Sequence, residues 1–544
     1  MKKHFLPLVA LAIGILLGLL ALALPAPARL DSVGFSAQRA RADIDRIARA
    51  PHSAWDQGSL IPVRDHIRER LSGLGLSVST MRYAEVTDAY GHRYPLENIS
   101  ASIPGKSGSS LLLVSHYDSA PKKRSGETKS SRGAADDGYG VATMLEIAGL
   151  LAGSKAPLEN GVRFLFTDAE ETGLRGAHAE MEQNLAAYAD VNLVINLEAR
   201  GVKGPVVMFE TGKHNLATIR LFEKAHRPFG YSFAAEVYRK MPNSTDLSKF
   251  IQKGFAGLNF AVLDDLSYYH APRDNPDNLS LASLQHYGEQ ILPMIQAYSG
   301  DARFSGKEAF LSTEDRVYFA WLPGLFFAWS ATWDKLLCLG LALAFLVWAG
   351  WMIAKGRAKF GSSLLWLVAW LGVAAGGLGI GLGVSFLVSM FSGIAWRITY
   401  MPNVPQDRLI TWGLVLGLAL ASYALAGRKA KQGKGDRSPL IGAMGVNLVL
   451  LAVMRFLLPG GTFLCSVPLL VALVAVVLAD LAKCQPIALA GVVFALSLFV
   501  PVLHIFSLAL TFGALGIVLL LAAFPLALAA SLAIEGSVSK GDDL

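Results

Sequence analysis

The residues best suited to chemistry in this chain are histidines and paired acids that follow short apolar runs. The run at 111–115 ends in Ser115-His116-Tyr117-Asp118, and side chains two apart on an extended backbone point the same way, so Asp118 can orient the His116 ring. Gly133-Ala134-Ala135-Asp136-Asp137-Gly138-Tyr139-Gly140 then leads directly into an apolar stretch from Val141. Capping a helix there uses either Asp136 or Asp137, which leaves the other acid for a ligand. The run at 162–167 continues into Asp168-Ala169-Glu170-Glu171, and adjacent side chains leave an extended chain on opposite sides. One glutamate can therefore hold a cation while the other takes a proton from an attacking water. Asn196-Leu197-Glu198 and Tyr268-Tyr269-His270-Ala271-Pro272-Arg273-Asp274 add a further acid and a second histidine.

Each motif alone has a plainer reading, as a strand-end hydrogen bond, a helix cap or a solvated acidic run. Together they give two histidines and three or four carboxylates, too many for one tetrahedral ion and suited to a pair of ions sharing a carboxylate. Imidazole mixed with carboxylate selects zinc before manganese or cobalt, whereas calcium seeks more oxygens. The three cysteines are Cys338, Cys465 and Cys484, so the region bearing these motifs holds no disulfide and no thiolate ligand. His178, His214 and His226 fall outside the motifs and read as surface residues.

The elements that must position these groups alternate. Strands are predicted at 111–115, 162–167, 191–197, 206–210 and 257–262. Helices are predicted at 37–50, 60–74, 141–151, 174–187, 215–226 and 280–298. Such alternation predicts an α/β sandwich around a mixed, mainly parallel central sheet, in which ligands gather at the carboxyl ends of the strands.

The ordered set His-x-Asp, Gly-Ala-x-Asp-Asp-Gly-x-Gly, Ala-Glu-Glu-x-Gly-Leu-x-Gly, Asn-Leu-Glu and Tyr-His resembles the co-catalytic zinc aminopeptidases over about residues 36–300. That group includes bacterial leucyl aminopeptidases, glutaminyl cyclases and the multi-spanning endoplasmic-reticulum and vacuolar metallopeptidases. The resemblance implies a zinc-exopeptidase-like fold and two Zn2+ ions. It makes His116, Asp136, Glu171, Glu198 and His270 the metal ligands, with Asp136 bridging, Glu170 the general base and Asp118 the partner of His116. Asn243-Ser244-Thr245-Asp246 is similar to the family's Ser-Asp-Thr-Asp loop but departs from it at two positions. The implied activity is removal of N-terminal residues from peptides. The alternatives are a catalytically inactive receptor or assembly relative and a single-zinc glutaminyl cyclase.

The chain is 53% hydrophobic and only 17% charged, too apolar for a wholly soluble protein of 544 residues. The excess lies at the start and in the second half, predicting an anchor at 1–30, a zinc-peptidase domain at 31–310, a linker at 311–335, a membrane domain of about seven helices at 336–535 and a cytoplasmic tail at 536–544. The spans read as 5–24, 336–354, 364–391, 409–427, 440–458, 467–481, 487–502 and 508–533. The first is long enough for a retained anchor, although Leu24-Pro25-Ala26-Pro27-Ala28 also suits signal cleavage. Basic residues crowd beside the spans: Lys2 and Lys3; Lys355, Arg357 and Lys359; Arg428, Lys429, Lys431, Lys434 and Arg437. With the N-terminus inside, all three clusters face the cytoplasm, and the peptidase region lies on the other side. Topology thus accounts for the net charge of +7, and no nucleic-acid partner is implied. The expected partners are peptide substrates and the lipid bilayer; oligomeric state is left open. Short loops and an Ala/Leu/Gly-rich composition point to a bacterial inner membrane with a periplasmic domain, and an organelle membrane with a lumenal domain is the alternative.

Overall fold

The computed structural model describes residues 2–121, 130–154, 156–398, 401, 404–430 and 436–537. The chain divides into an α/β unit, Ala23–Arg316 with Gly324–Ala328, and a helical unit, Met1–Leu22 with Val317–Pro323 and Trp329–Leu544. Helix α1 (Lys2–Leu20) belongs to the helical unit. The α/β unit follows with α2 (Ala37–Ile47), α3 (Gln57–Gly73) and strands β1 (Val78–Thr87), β2 (Arg93–Ile103) and β3 (Ser110–His116). Then come α4 (Gly138–Gly153), β4 (Gly161–Thr167), α5 (Arg175–Gln183), β5 (Val191–Ala199) and β6 (Lys203–Thr211). Helices α6 (Leu216–Phe222), α7 (Ser232–Tyr238) and α8 (Asp246–Gln252), strand β7 (Ala256–Asp264) and helix α9 (Leu281–Gly300) complete it.

Seven strands form one sheet in the order β1-β2-β4-β3-β5-β7-β6. Its centre is parallel, β4 and β5 flanking β3 and β7 beside β5, while β1, β2 and β6 join antiparallel. The sheet is therefore the mixed, mainly parallel one that the alternation predicts. β3 and β5 are buried at every residue because helices cover both faces, which is why they read as unbroken apolar runs. On one face Leu112, Val114, Leu165 and Val194 pack with Ala177 and Met181 of α5 and Leu247 and Phe250 of α8. In-register pairing, with Leu113 opposite both Phe164 and Ile195 and His116 opposite Thr167, brings the strand ends to one edge of the sheet.

The structure also departs from the sequence reading. β1 and β2 were not anticipated: β1 is half-exposed along its length, so burial leaves no simple apolar signature. The predicted helix at 174–187 is shorter, since Leu174 is left-handed and the chain after Asn184 tightens to a 3-10 turn. The predicted linker at 311–335 holds strands β8 (Arg316–Leu322) and β9 (Leu325–Ser330) around Pro323-Gly324, where Gly324 takes φ +79.

In the helical unit, α10 (Ala331–Ala354), α11 (Phe360–Ser392), α12 (Asp407–Ala430), α13 (Ser438–Leu457), α14 (Phe463–Leu481), α15 (Leu489–Leu510) and α16 (Leu515–Glu535) follow. Among the described residues seven helices are long and apolar enough to cross a membrane, which supports a multi-pass membrane protein. The first apolar helix, described over Phe5–Leu20, is shorter than the predicted 5–24 span and is not one of the seven. Its end precedes Pro25 and Pro27, which disfavour helix at the residues before them. Gly14 and Gly18 of α1 lie against α15, where an added Cβ would sit 2.9 Å from Leu496 Cβ and 2.6 Å from Val500 Cβ. This small-x-x-x-small spacing lets the two backbones approach closely. The last helix break also moves: Pro501 and His504 lie inside α15, and the chain turns at Thr511, φ +61, rather than between 502 and 508. Lys431, Lys434 and the tail beyond Ser537 lie outside the described residues.

Candidate metal centre

His116 closes β3, and its ring Nδ1 sits 2.9 Å from the Asp118 carbonyl oxygen and 3.4 Å from the Asp118 carboxylate. A carbonyl can only accept, so Nδ1 donates to it and Nε2 is the nitrogen turned toward Asp136 and Glu198. The Asp118 carboxylate also accepts the backbone N–H groups of Glu170 at 2.9 Å and of Glu171 at 3.3 Å. Those glutamates are not on an extended strand as the spacing argument assumed, because β4 ends at Thr167 and Ala169 is left-handed at φ +58. A turn pinned by Asp118 presents them instead.

The paired acids before α4 divide their work. The Asp137 carboxylate accepts the Gly140 N–H at 3.2 Å as the helix cap and the Ser115 hydroxyl at 2.5 Å. Asp136, joined to Asp137 by a cis peptide, is left to face the cavity. Gly140 is required here, since a Cβ would lie 2.2 Å from Asp137 Oδ2.

At the end of β5, Asn196 Nδ2 donates to Glu198 Oε1 at 3.0 Å, leaving Oε2 at 3.7 Å from His116 Nε2. His270 follows β7 in a left-handed conformation, φ +54, with the Tyr269 ring stacked on it at 3.7 Å between centroids. The five candidate ligands thus form two groups, His116–Asp136–Glu198 and Asp136–Glu171–His270, whose ligand atoms lie within 4.8 Å of one another in each. Asp136 is common to both: Oδ1 is 3.4 Å from His116 Nε2, and Oδ2 is 3.3 Å from His270 Nε2. Glu171 Oε2 is 2.9 Å from His270 Nε2.

This donor set fits a cation pair. His116 Nε2, Asp136 Oδ2, Glu171 Oε1 and His270 Nε2 are buried and make no well-directed hydrogen bond, although imidazole and carboxylate lie within ion-pair range of each other, an arrangement that a shared cation would satisfy better. The charges agree. Burial, reinforced by Glu198, pushes Glu170 well above the ordinary carboxylate range. Burial also raises Glu171 to about 7, with His270 opposing, and Glu198 to about 8, with His116 opposing. The imidazoles move up although burial opposes it: Asp118 and Asp136 hold His116 well above its usual value, and Glu171 and Asp136 carry His270 to about 10. Clustered acids that hold onto protons are what added positive charge would relieve.

Around this core the structure adds residues to which the sequence reading gave no role. Asn196 also donates to Asn259 Oδ1 at 3.1 Å, and Asn259 donates to Glu210 at 2.8 Å and to Thr245 Oγ1 at 2.7 Å, a polar row across β5, β7 and β6. Asp246 accepts the Thr167 hydroxyl at 2.5 Å, and its Oδ1 has no partner. His52, fully buried, packs near Gly133 with Nδ1 at 2.9 Å from the Ala50 carbonyl. Asn259 was hidden within a run that reads simply as a strand. His214 and His226 are exposed as expected, while His178 is half-buried.

Residues 98–295 match the model of peptidase family M28. The mouse protein named endoplasmic reticulum metallopeptidase 1 is 30% identical over 207 residues, 37% of this chain and 22% of that protein. The vacuolar membrane protease of Candida tropicalis is 27% identical over 256 residues, 45% of this chain and 27% of that protein. The chain thus matches less than a third of the length of either relative. Among solved structures, a Zn-dependent exopeptidase from Parabacteroides distasonis aligns at TM-score 0.39 and 22% identity, covering 50% of this chain and 99% of that one. The relatives' names refer to the endoplasmic reticulum and to the vacuolar membrane, and nothing in them supports the bacterial inner membrane.

Proposed function

From the match to the M28 family model and the paired ligand groups, we propose that this chain is a membrane-anchored metallo-exopeptidase that holds two zinc ions. Its reaction is removal of N-terminal residues from peptides on the non-cytoplasmic side. The observation that carries the reading is the sharing of Asp136 between two histidine-carboxylate groups, one buried and one partly buried, the latter's glutamate Glu171 adjoining Glu170. His116, Asp136 and Glu198 would hold one ion, and Asp136, Glu171 and His270 the other. When bound, such a pair acidifies water and polarises the scissile carbonyl. Glu170 accepts the water proton and returns it to the leaving amine. Asp118 holds the Glu170 and Glu171 backbone still and fixes the His116 tautomer, so that base and ligands keep their places through turnover. Placement outside the cytoplasm is supported by the basic clusters at 355–359 and 428–437, which lie two spans apart and so share one face.

The test is metal analysis of the detergent-purified full chain together with assays on peptides bearing free or blocked N-termini. The reading expects two zinc ions per chain and cleavage only of free N-termini. One zinc per chain, with cyclisation of N-terminal glutamine and no cleavage, would instead identify a glutaminyl cyclase.

A further inference from the structure

The loop that carries Asp136, the residue common to both candidate ligand groups, is held by a carboxylate to which neither the motifs nor the proposed chemistry assigns a role. Asp274 is 1% exposed. Its Oδ1 accepts the Ala135 N–H at 2.7 Å, and its Oδ2 accepts the Asp136 N–H at 3.3 Å and the Ser131 hydroxyl at 3.2 Å. All three donors belong to the loop before α4. Ser131 shapes that loop as well, its Oγ accepting the Gly133 N–H at 2.9 Å where Gly133 turns left-handed at φ +62. At its other end Asp274 is tied back toward His270, because its own N–H donates to the Ala271 carbonyl at 2.9 Å and the Ala271 N–H donates to Tyr268 at 3.1 Å. A single carboxylate therefore fastens the Asp136 loop to the His270 loop. Asp118 does the same for the other half of the site, joining His116 to the Glu170-Glu171 turn.

We propose that Asp274 is a positioning residue for the metal pair, acting through the backbone of Ala135 and Asp136 to hold the bridging carboxylate in register with His270. The inference rests on the two-zinc reading above. Asparagine at 274 keeps the shape but has one acceptor oxygen where aspartate has two, so its NH2 meets an N–H or O–H donor of this loop and at least one of these bonds is lost. The bridging oxygens then drift relative to His270 Nε2, and the Asp136–Glu171–His270 group is the one that loses definition.

The test uses the full chain in detergent, stripped of metal by a chelator and titrated with zinc by calorimetry, with thermal melting measured before and after zinc. Asp274→Asn should weaken the weaker zinc-binding step about 10–100-fold, the usual scale for partners that orient ligands. Its zinc-free melting temperature should fall by only a few degrees, about 2–4 °C for each kcal/mol lost with the buried bond. A zinc-free form that melts early but binds zinc like the parent would show Asp274 to be merely structural and overturn the proposal. If Asp274→Asn does not fold, Ser131→Ala decides: it removes one donor, so weaker zinc binding supports the proposal and unchanged binding overturns it. A parent that binds no zinc sinks the two-zinc reading and this inference with it. A parent that binds two, with both variants equal to it, sinks the inference alone.

Discussion

Both units bury charge, but they treat it differently. In the helical unit Arg437, 4% exposed, has an acceptor for every side-chain nitrogen: Nε meets Glu535 at 2.8 Å, Nη1 meets Asp480 at 2.6 Å, and Nη2 meets both acids. Among the described residues of that unit, the buried side-chain atoms without a partner belong only to uncharged groups such as Trp348, Ser466 and Asn447. In the α/β unit the partnerless atoms include charged groups, Asp168 Oδ1, Arg175 Nε and Asp246 Oδ1 at separate places, and His116 Nε2, Asp136 Oδ2, Glu171 Oε1 and His270 Nε2 together in one cluster. Buried charge that is fully paired holds a fold together, and several open ligand-type atoms gathered in one cluster are poised for something the protein chain does not supply.

Metal removal breaks the comparison most sharply. Chelation should abolish peptide cleavage and lower stability by about 4 kcal/mol relative to zinc at a thousandfold excess over its dissociation constant, read by thermal melting with and without added zinc. The helical unit, whose charges satisfy one another, should keep its helical circular dichroism throughout. Next in size is Glu170→Gln, for which turnover should fall about 10²–10⁴-fold while zinc content stays at the parent level. A variant that lost zinc as well would make Glu170 a ligand rather than a base.

Arg437→Met tests the other side. Taking the guanidinium from the partly buried Asp480 and Glu535, with Arg357 still 3.5 Å from Asp480, should cost about 3 kcal/mol in a melting or denaturant assay. Cleavage per folded molecule should not change. Replacing all three side chains with apolar ones of similar volume should recover most of the loss, as expected for charges with a purely structural role.

The smallest effect concerns a histidine of the α/β unit that is fully paired. His286 accepts the Val206 N–H at Nδ1 and donates from Nε2 to the Arg227 carbonyl, both at 3.0 Å, so it is held neutral. Burial lowers it from 6.5 to about 4. A histidine depressed in the folded state contributes stability that is complete above about pH 6.5 and is lost as pH falls toward 4, about 3 kcal/mol over that window. Denaturant midpoints at pH 7 and pH 4.5 should show the slope, and His286→Gln should flatten it.

Much of the site could be read in the residues because each ligand follows an apolar strand whose period and length are distinctive. β3, β4, β5 and β7 were expected within a few residues of where they lie, and the five candidate ligands do converge. What escaped the sequence lies in contacts between distant segments. Which acid of Asp136-Asp137 caps α4 depends on Ser115, a neighbour only in the folded sheet. The Glu170-Glu171 pair was argued from strand geometry, whereas Ala169 turns the backbone and Asp118 holds it. Asn259 and Asp274 carry no local signature, because a buried amide or carboxylate reveals its role only through its partners. In the helical unit the break at Thr511 was misplaced since the flanking residues are apolar throughout, and Pro501 is accommodated inside α15.

The most direct test of the central claim is a crystal structure of the zinc-loaded full chain, with anomalous scattering recorded on both sides of the zinc absorption edge. The account predicts two peaks, one among His116, Asp136 and Glu198 and one among Asp136, Glu171 and His270, with Asp136 between them. A single peak away from Asp136, or no peak in this cluster from protein that cleaves peptides, would contradict it.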